Sequence, residues 1–159
     1  MLVGEQPGDK EDLAGRPFVG SAGAPLNNAL SEAGIDRSQT YVTNAIKHFK
    51  WEPRGKRRFH KKPNSVEITA CRSWLDAEIQ IIKPAVIVSL GATAAQALLG
   101  RKFRVTRQRG ELLPLGENLQ VLATLHPSAI LRAPDGEARH HEMQLFIKDL
   151  QVVAQFIAV

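Results

Sequence analysis

The chain has 159 residues, 43% of them hydrophobic, with 21 Lys and Arg against 16 Asp and Glu and a formal net charge of +5. That length and apolar fraction suit one compact domain around one core, so residues 1–159 are expected to fold as a single domain. No run of about 18 apolar residues is available for a membrane span; the opening residues lack the order of a secretory signal; and a lone cysteine, Cys71, excludes an internal disulfide framework, so a cytoplasmic, reducing location is expected.

Met1 to Val3 reads as a short apolar strand running into Gly4-Glu5-Gln6-Pro7-Gly8, where glycine and proline stop regular structure. A helix follows from Pro25 to Ala33, stopped by Gly34, and Thr40 to Thr43 reads as a second strand ending at Asn44. Asn64 with Glu67 forms a capping-box start for a helix whose apolar positions Cys71, Trp74, Leu75, Ile79 and Ile82 recur at helical spacing until Pro84. Ala85 to Leu90 is a continuous apolar, β-branched run of the kind found in buried parallel strands. A short helix near Thr93 to Leu99 with Gly100 as its cap comes next, then a strand from Leu119 to Thr124 and a closing helix from Glu137 to about Phe156.

Strands that alternate with helices predict an α/β fold: a three-layer α/β/α sandwich with a mainly parallel four-stranded sheet, because parallel strands need crossover connections. Ligands of such sheets bind outside the carboxyl ends of the strands. The segments at those ends are the Gly4 to Asp9 loop, Asn44 to His48, Gly91 to Thr93, and His126-Pro127-Ser128, which are expected to converge on one site.

Charge is unevenly distributed. Lys47 to Lys62 holds eight Lys or Arg residues and one acid, Glu52, whereas the rest of the chain holds thirteen basic and fifteen acidic residues. This segment, read as a loop, suggests a polyanion contact; a solvated, mobile loop is the plain alternative.

Four ordered motifs carry a resemblance: Gly4-Glu5-Gln6-Pro7-Gly8-Asp9, Gly15-Arg16-Pro17-Phe18-Val19-Gly20, Val42-Thr43-Asn44 and His126-Pro127-Ser128. Together they resemble the iron–sulfur (family 4-like) group of the uracil-DNA glycosylase superfamily. Gln6 and the insertion Gly55-Lys56-Arg57-Arg58-Phe59-His60 resemble its UdgX branch, whose members bind uracil-containing DNA covalently through a loop histidine.

The resemblance implies an enzyme that flips uracil out of DNA, excises it and is captured on the DNA through His60, with Glu5, His60 and His126 as catalytic residues. Phe18 would stack on the flipped base, although a core phenylalanine is the simpler reading of that residue alone. The Asn44 carboxamide can accept from uracil N3 and donate to O4, which distinguishes uracil from cytosine; a strand-end asparagine tying up a turn is its structural alternative. His126 would donate to uracil O2 as charge grows there, with Ser128 beside it; a structural histidine bonded to backbone is its alternative. Glu5 would orient His60 and balance the cation it forms, although on spacing alone His60 reads as one more member of a basic phosphate-binding strip; without the loop, Glu5 or Gln6 could position a water for ordinary hydrolysis.

Gln6, Gly8 and Asp9 join the substrate loop, with Gln6 placing a backbone amide near uracil O2 and Asp9 holding either Glu5 or the basic loop. Lys47, Arg54, Lys56, Arg57, Arg58 and Lys61 are expected to meet the DNA backbone, with bracing of the loop as a second role for Arg58 and solvent exposure as the default for Lys47. The expected partner is uracil-containing DNA, single-stranded because extrusion costs least there; no membrane partner is expected, and the protein is expected to be a monomer.

The resemblance also implies a [4Fe-4S] cluster, which needs four protein ligands. This chain offers two candidates, His48 and Cys71, and lacks the family's N-terminal cysteine pair. Either the true start lies upstream, or the cluster has been lost and Cys71 packs on the apolar face of its helix. A hydrolytic glycosylase with turnover and a degenerate module that only grips DNA are the competing functions; a dinucleotide-binding enzyme is disfavoured because no G-x-G-x-x-G follows the first strand.

Overall fold

The computed structural model describes residues 1–158. Its elements are β1 (Leu2–Gly4), α1 (Asp9–Ala14), α2 (Gly23–Glu32), β2 (Val42–Asn44), β3 (Trp51–Arg54), β4 (Arg57–His60), α3 (Ser65–Ile82), β5 (Val86–Leu90), α4 (Ala92–Leu99), α5 (Val105–Gln108), β6 (Leu112–Pro114), β7 (Gln120–Thr124), α6 (Pro127–Leu131) and α7 (Gly136–Ile157).

The strands predicted from sequence are β1, β2, β5 and β7, displaced by one or two residues at their ends, and they run parallel in the order β2-β1-β5-β7. The sheet has a fifth strand where four were expected. β6 pairs antiparallel with β7 at the edge, with Pro114 opposite Gln120, a position where the missing N–H interrupts no further ladder.

Side-chain alternation separates two cores. Leu2, Val86, Val88, Leu90 and Leu122 pack with Leu26 and Leu30 of α2, Ile130 of α6 and Phe146 and Leu150 of α7. Val3, Ile87 and Val121 point the other way, onto Leu75 of α3 and Ala94 and Leu98 of α4. Both faces of the sheet are therefore covered, which is the three-layer sandwich the β-branched strands call for.

The basic segment is a β-hairpin where a loop was expected. β3 and β4 pair only with each other, Trp51 opposite His60 and Arg54 opposite Arg57, around a two-residue turn in which Gly55 takes a φ of 61° that glycine adopts without strain. Pro53 is tolerated because no third strand needs its N–H. β4 leads through Lys61 to Pro63 into α3, whose capping box is complete: Asn64 accepts from the Glu67 N–H at 3.0 Å, and Glu67 accepts from the Asn64 N–H at 2.7 Å.

The cap fixes where the hairpin ends and the helix begins, and Asn64→Ala is expected to lower the unfolding free energy by about 1 kcal/mol. A shifted denaturant midpoint at unchanged slope would show it.

Candidate active site

Glu5 follows β1 directly, so the sheet delivers its side chain to the carboxyl end of a central strand. Its two oxygens have different partners: Oε1 lies 2.9 Å from His60 Nε2 on the hairpin, and Oε2 accepts a short hydrogen bond from Thr93 Oγ1 at the start of α4. Burial pushes the Glu5 carboxyl up, but the hydrogen bonds from His60 and Thr93, with smaller electrostatic contributions from His60 and His126, outweigh it and hold the group below its ordinary value. Glu5 is therefore a carboxylate at neutral pH and can only accept, so in this pair His60 Nε2 carries the proton and a neutral ring keeps its lone pair on Nδ1.

The residues after Glu5 clasp the hairpin. Gln6, 8% exposed, donates from Nε2 to the carbonyls of Lys50 and Lys61, both at 3.2 Å, and accepts from the Lys50 N–H. Its side chain thus ties the two ends of the hairpin together. Asp9 and Asp12 on α1 receive Arg58, with Nε 2.6 Å from Asp9 Oδ1 and Nη1 2.7 Å from Asp12 Oδ2. The same guanidinium lies over Phe49 and Trp51, 5.2 and 5.6 Å from their ring centres. Of the two roles expected for Arg58, it performs the bracing one, and Asp9 holds the hairpin, not Glu5.

Phe18 and Asn44 meet over Gly4. A Cβ on Gly4 would stand 2.5 Å from Asn44 Oδ1 and 2.9 Å from the Phe18 ring, so only glycine lets both approach the end of β1. Phe18 itself has a φ of 54°, an unfavourable conformation for a bulky residue, and the surroundings enforce it. Its carbonyl lies where a Cβ on Gly23 would be, and its loop is pinned by Glu11, which accepts from the Gly20 N–H at 2.7 Å. Gly8 flanks the same Glu11 carboxylate and caps α1. Asn44 is buried, and its backbone carbonyl accepts from Lys47 Nζ.

His126 is fixed from the fourth strand end. Its Nδ1 accepts from the Ser128 N–H at 3.1 Å and lies 2.8 Å from Ser128 Oγ, which in turn accepts from Arg132. The hydrogen-bond pattern therefore assigns the ring proton to Nε2. Burial lowers the pKa of His126 to about 4, so the ring is a neutral donor at physiological pH. Phe18 stacks beside it at 5.7 Å, and a Cβ on Gly91 would come 3.0 Å from the His126 Cβ.

The four strand-end segments thus converge as expected, joined by the hairpin. A cleft of about 330 Å³ lined by Pro7, Arg16, Pro17, Thr43 and Lys47, among others, opens beside them and meets the site through Asn44.

The basic side chains divide. Lys47 turns inward to Glu78, Thr43 and Asn44, and Arg54 pairs with Glu52 while lying over Phe59. Lys56, Arg57 and Lys61 are exposed and have no ion-pair partner among the described residues.

His48 and Cys71 stand together, Nδ1 to Sγ 3.9 Å, as two ligands of one site would. Among the described residues, however, no group of three or more His, Cys, Asp or Glu side chains is arranged to hold a metal. The donors present do not fit a four-ligand cluster. Cys71 is 7% exposed and packs on the buried side of α3.

Sequence reasoning placed Thr93 in a converging strand-end segment without giving it a role, and missed Glu11, Asp12 and Glu78. Only Thr93 had a signal, its place two residues beyond Gly91 at a strand end. The site pairs an ionised carboxylate and a histidine on one side with an aromatic ring, a carboxamide and a neutral imidazole donor on the other, an arrangement that can hold a planar base and accept negative charge from it. Nitrogen-resolved NMR titration is expected to find His126 neutral and protonated on Nε2 at pH 6, ionising only near pH 4.

Residues 1–151 match the family description Uracil DNA glycosylase superfamily. The chain is 39% identical over 158 residues to the Type-4 uracil-DNA glycosylase of Thermotoga maritima, which covers 99% of this chain and 77% of that protein. It is 38% identical over 141 residues to the Type-4 uracil-DNA glycosylase of Pyrobaculum aerophilum, covering 84% of this chain and 68% of that protein. It is also 28% identical over 158 residues to a DNA polymerase of Bacillus phage SP01, covering 99% of this chain but 16% of the polymerase. On the family match and these identities, the chain belongs to the uracil-DNA glycosylase superfamily.

Proposed function

We propose that this protein excises uracil from DNA and is then held on the DNA by a covalent bond from His60. The observation that carries this reading is the 2.9 Å contact between His60 and Glu5 on a hairpin braced by Arg58 and Gln6. Phe18 stacks on the extruded base and the Asn44 carboxamide reads its N3–H and O4, a pairing that cytosine would meet with reversed donors and acceptors. The bond between uracil N1 and C1′ breaks with its electron pair leaving on uracil, whose O2 accepts from the neutral His126 Nε2–H. The sugar cation at C1′ is then attacked by a lone pair of the His60 ring. The ring becomes an imidazolium, and Glu5 balances its charge as an acid balances histidine in a triad.

Lys56, Arg57 and Lys61 supply the phosphate contacts; single strands are the preferred substrate because extrusion costs least there. Resemblance to the UdgX branch in Gln6 and the hairpin histidine supports capture. The Type-4 names of the relatives favour a second reading, hydrolysis with turnover, in which Glu5 positions a water.

A uracil-containing single-stranded oligonucleotide, with a thymine control, separates these on a denaturing gel. Capture predicts a heat- and SDS-stable shifted band with uracil alone, absent in His60→Ala, where alkali-sensitive breaks replace it. Breaks without a shifted band in the unmodified protein would establish hydrolysis, and neither product would leave only DNA binding.

Thr93 tests the carboxylate. Thr93→Val removes a hydrogen bond that lowers the Glu5 pKa, so the acid limb of the rate of base release is expected to move to higher pH, while Thr93→Ser leaves it in place.

A further inference from the structure

A second basic run lies outside the hairpin. Gly100 to Gly110 carries five Lys or Arg residues and no acid. Arg109 is turned inward to Asp149 and Glu142, but Arg101, Lys102, Arg104 and Arg107 are exposed and have no ion-pair partner among the described residues. Four unneutralised cations on one short segment repel each other, and such a surface persists where a polyanion offsets that repulsion.

The segment is rigidly held. Phe103, 7% exposed, packs with Ala95 of α4, Ala123 of β7 and Leu113 of β6, and its carbonyl accepts from Gln96 Nε2 at 3.1 Å. Arg104 Nη1 donates to the carbonyls of Arg101 and Phe103, which leaves the rest of its guanidinium outward. Cations displayed on an anchored loop lose little conformational freedom on binding.

Its position connects it to the site. Arg101 forms one wall of a shallow groove whose other wall is Ser65, Val66, Thr69 and Ala70, the first turns of α3. That helix begins five residues after His60, past the exposed and unpaired Lys61 and Lys62. The nearby carboxylates on α3 are already occupied, Glu67 by Lys50 and Asp76 by Arg72. Positive charge therefore continues from Lys61 and Lys62 across the start of α3 to Arg101, with Lys102 next in the chain and Arg104 bonded to the Arg101 carbonyl.

We propose that this run of positive charge is a second phosphate-binding surface, which holds the single strand flanking the nucleotide presented to His60 and Asn44. The proposal rests on the DNA reading given above. It makes the hairpin one end of a longer track, with the groove at the start of α3 as the path of the strand.

The test compares the unmodified protein with Arg101→Gln/Lys102→Gln, residues outside the catalytic and base-holding groups, by fluorescence anisotropy over a salt series. Thymine-containing single strands are used in two lengths, one filling only the site and one extending well beyond it on both sides. The expected result is several-fold weaker binding of the long strand alone, with the slope of log K against log salt reduced by about 0.7 per lost phosphate contact, hence by about 1.4. Arg101→Lys is expected to keep the slope. Unchanged affinity and slope for the long strand overturn the proposal, as does equal weakening for both lengths. Polyglutamate bound as tightly as the long strand, and weakened as much by the double change, would overturn it in favour of an acidic protein partner. Uracil release by the unmodified protein, followed in parallel, isolates failure of the enzymatic reading: that reading can fail while the length-dependent slope survives, and the reverse.

Discussion

Glu5 sits partly buried at the end of β1, where a carboxylate is costly to hold unless its oxygens are engaged. Thr93 engages one and His60 the other, the first from the start of α4 and the second from the hairpin. The lowered pKa of Glu5 therefore rests in part on the hairpin being docked. Docking depends in turn on the segment that carries Glu5: Gln6 ties the hairpin ends, and Asp9 and Asp12 take its central arginine. Eight consecutive residues supply the carboxylate and the clamps that bring its partner to it.

Close backbone approach does the remaining positioning. Gly4 admits Asn44 and Phe18 to the strand end, Gly23 admits the Phe18 carbonyl, and Gly91, with a φ of 94°, passes against His126. A methyl group would displace Asn44 and Phe18 at Gly4, Phe18 at Gly23 and His126 at Gly91, where the backbone would be strained as well. The fourth strand end is secured from behind, where Asp149 of α7 accepts from Thr124 at 2.6 Å and from Arg109 at 2.8 Å. α7 thereby fixes the last residue of β7 two positions before His126.

The periodic parts of this architecture are legible in the sequence. Apolar, β-branched runs at Ala85 to Leu90 and Leu119 to Thr124 read as buried strands, and the capping box at Asn64 marks the start of α3 to the residue. What escapes is structure fixed by single contacts. The hairpin reads as a loop because Pro53 and a string of charges hide its alternation, and β6 is too short to carry a pattern. Lys47 reads as a free cation, and Arg58 as either a brace or a phosphate contact; their partners Asp9, Asp12 and Glu78 are distant in sequence, and only the fold brings them close. Charge totals mislead in the same way: the rest of the chain is slightly acidic, yet it holds the unpaired run from Arg101 to Arg107.

Because β3 and β4 pair with no other strand, the hairpin is attached to the sandwich through side chains and through the chain on either side of it. Its ion pairs with α1 are partly exposed, Arg58 at 27% and Asp9 at 49%, and are screened by salt. The Gln6 hydrogen bonds, buried and between neutral groups, are screened much less, whereas the Glu5 contact, with His60 51% exposed, is as open to solvent as those ion pairs. A fold that carries its histidine on such an attachment can lose the hairpin without losing the sheet, and Glu5 Oε1 would then face water. On the proposed reading, the choice between capture and hydrolysis is made by what occupies that one oxygen, while Phe18, Asn44 and His126, held by the sheet and its glycines, serve both outcomes equally.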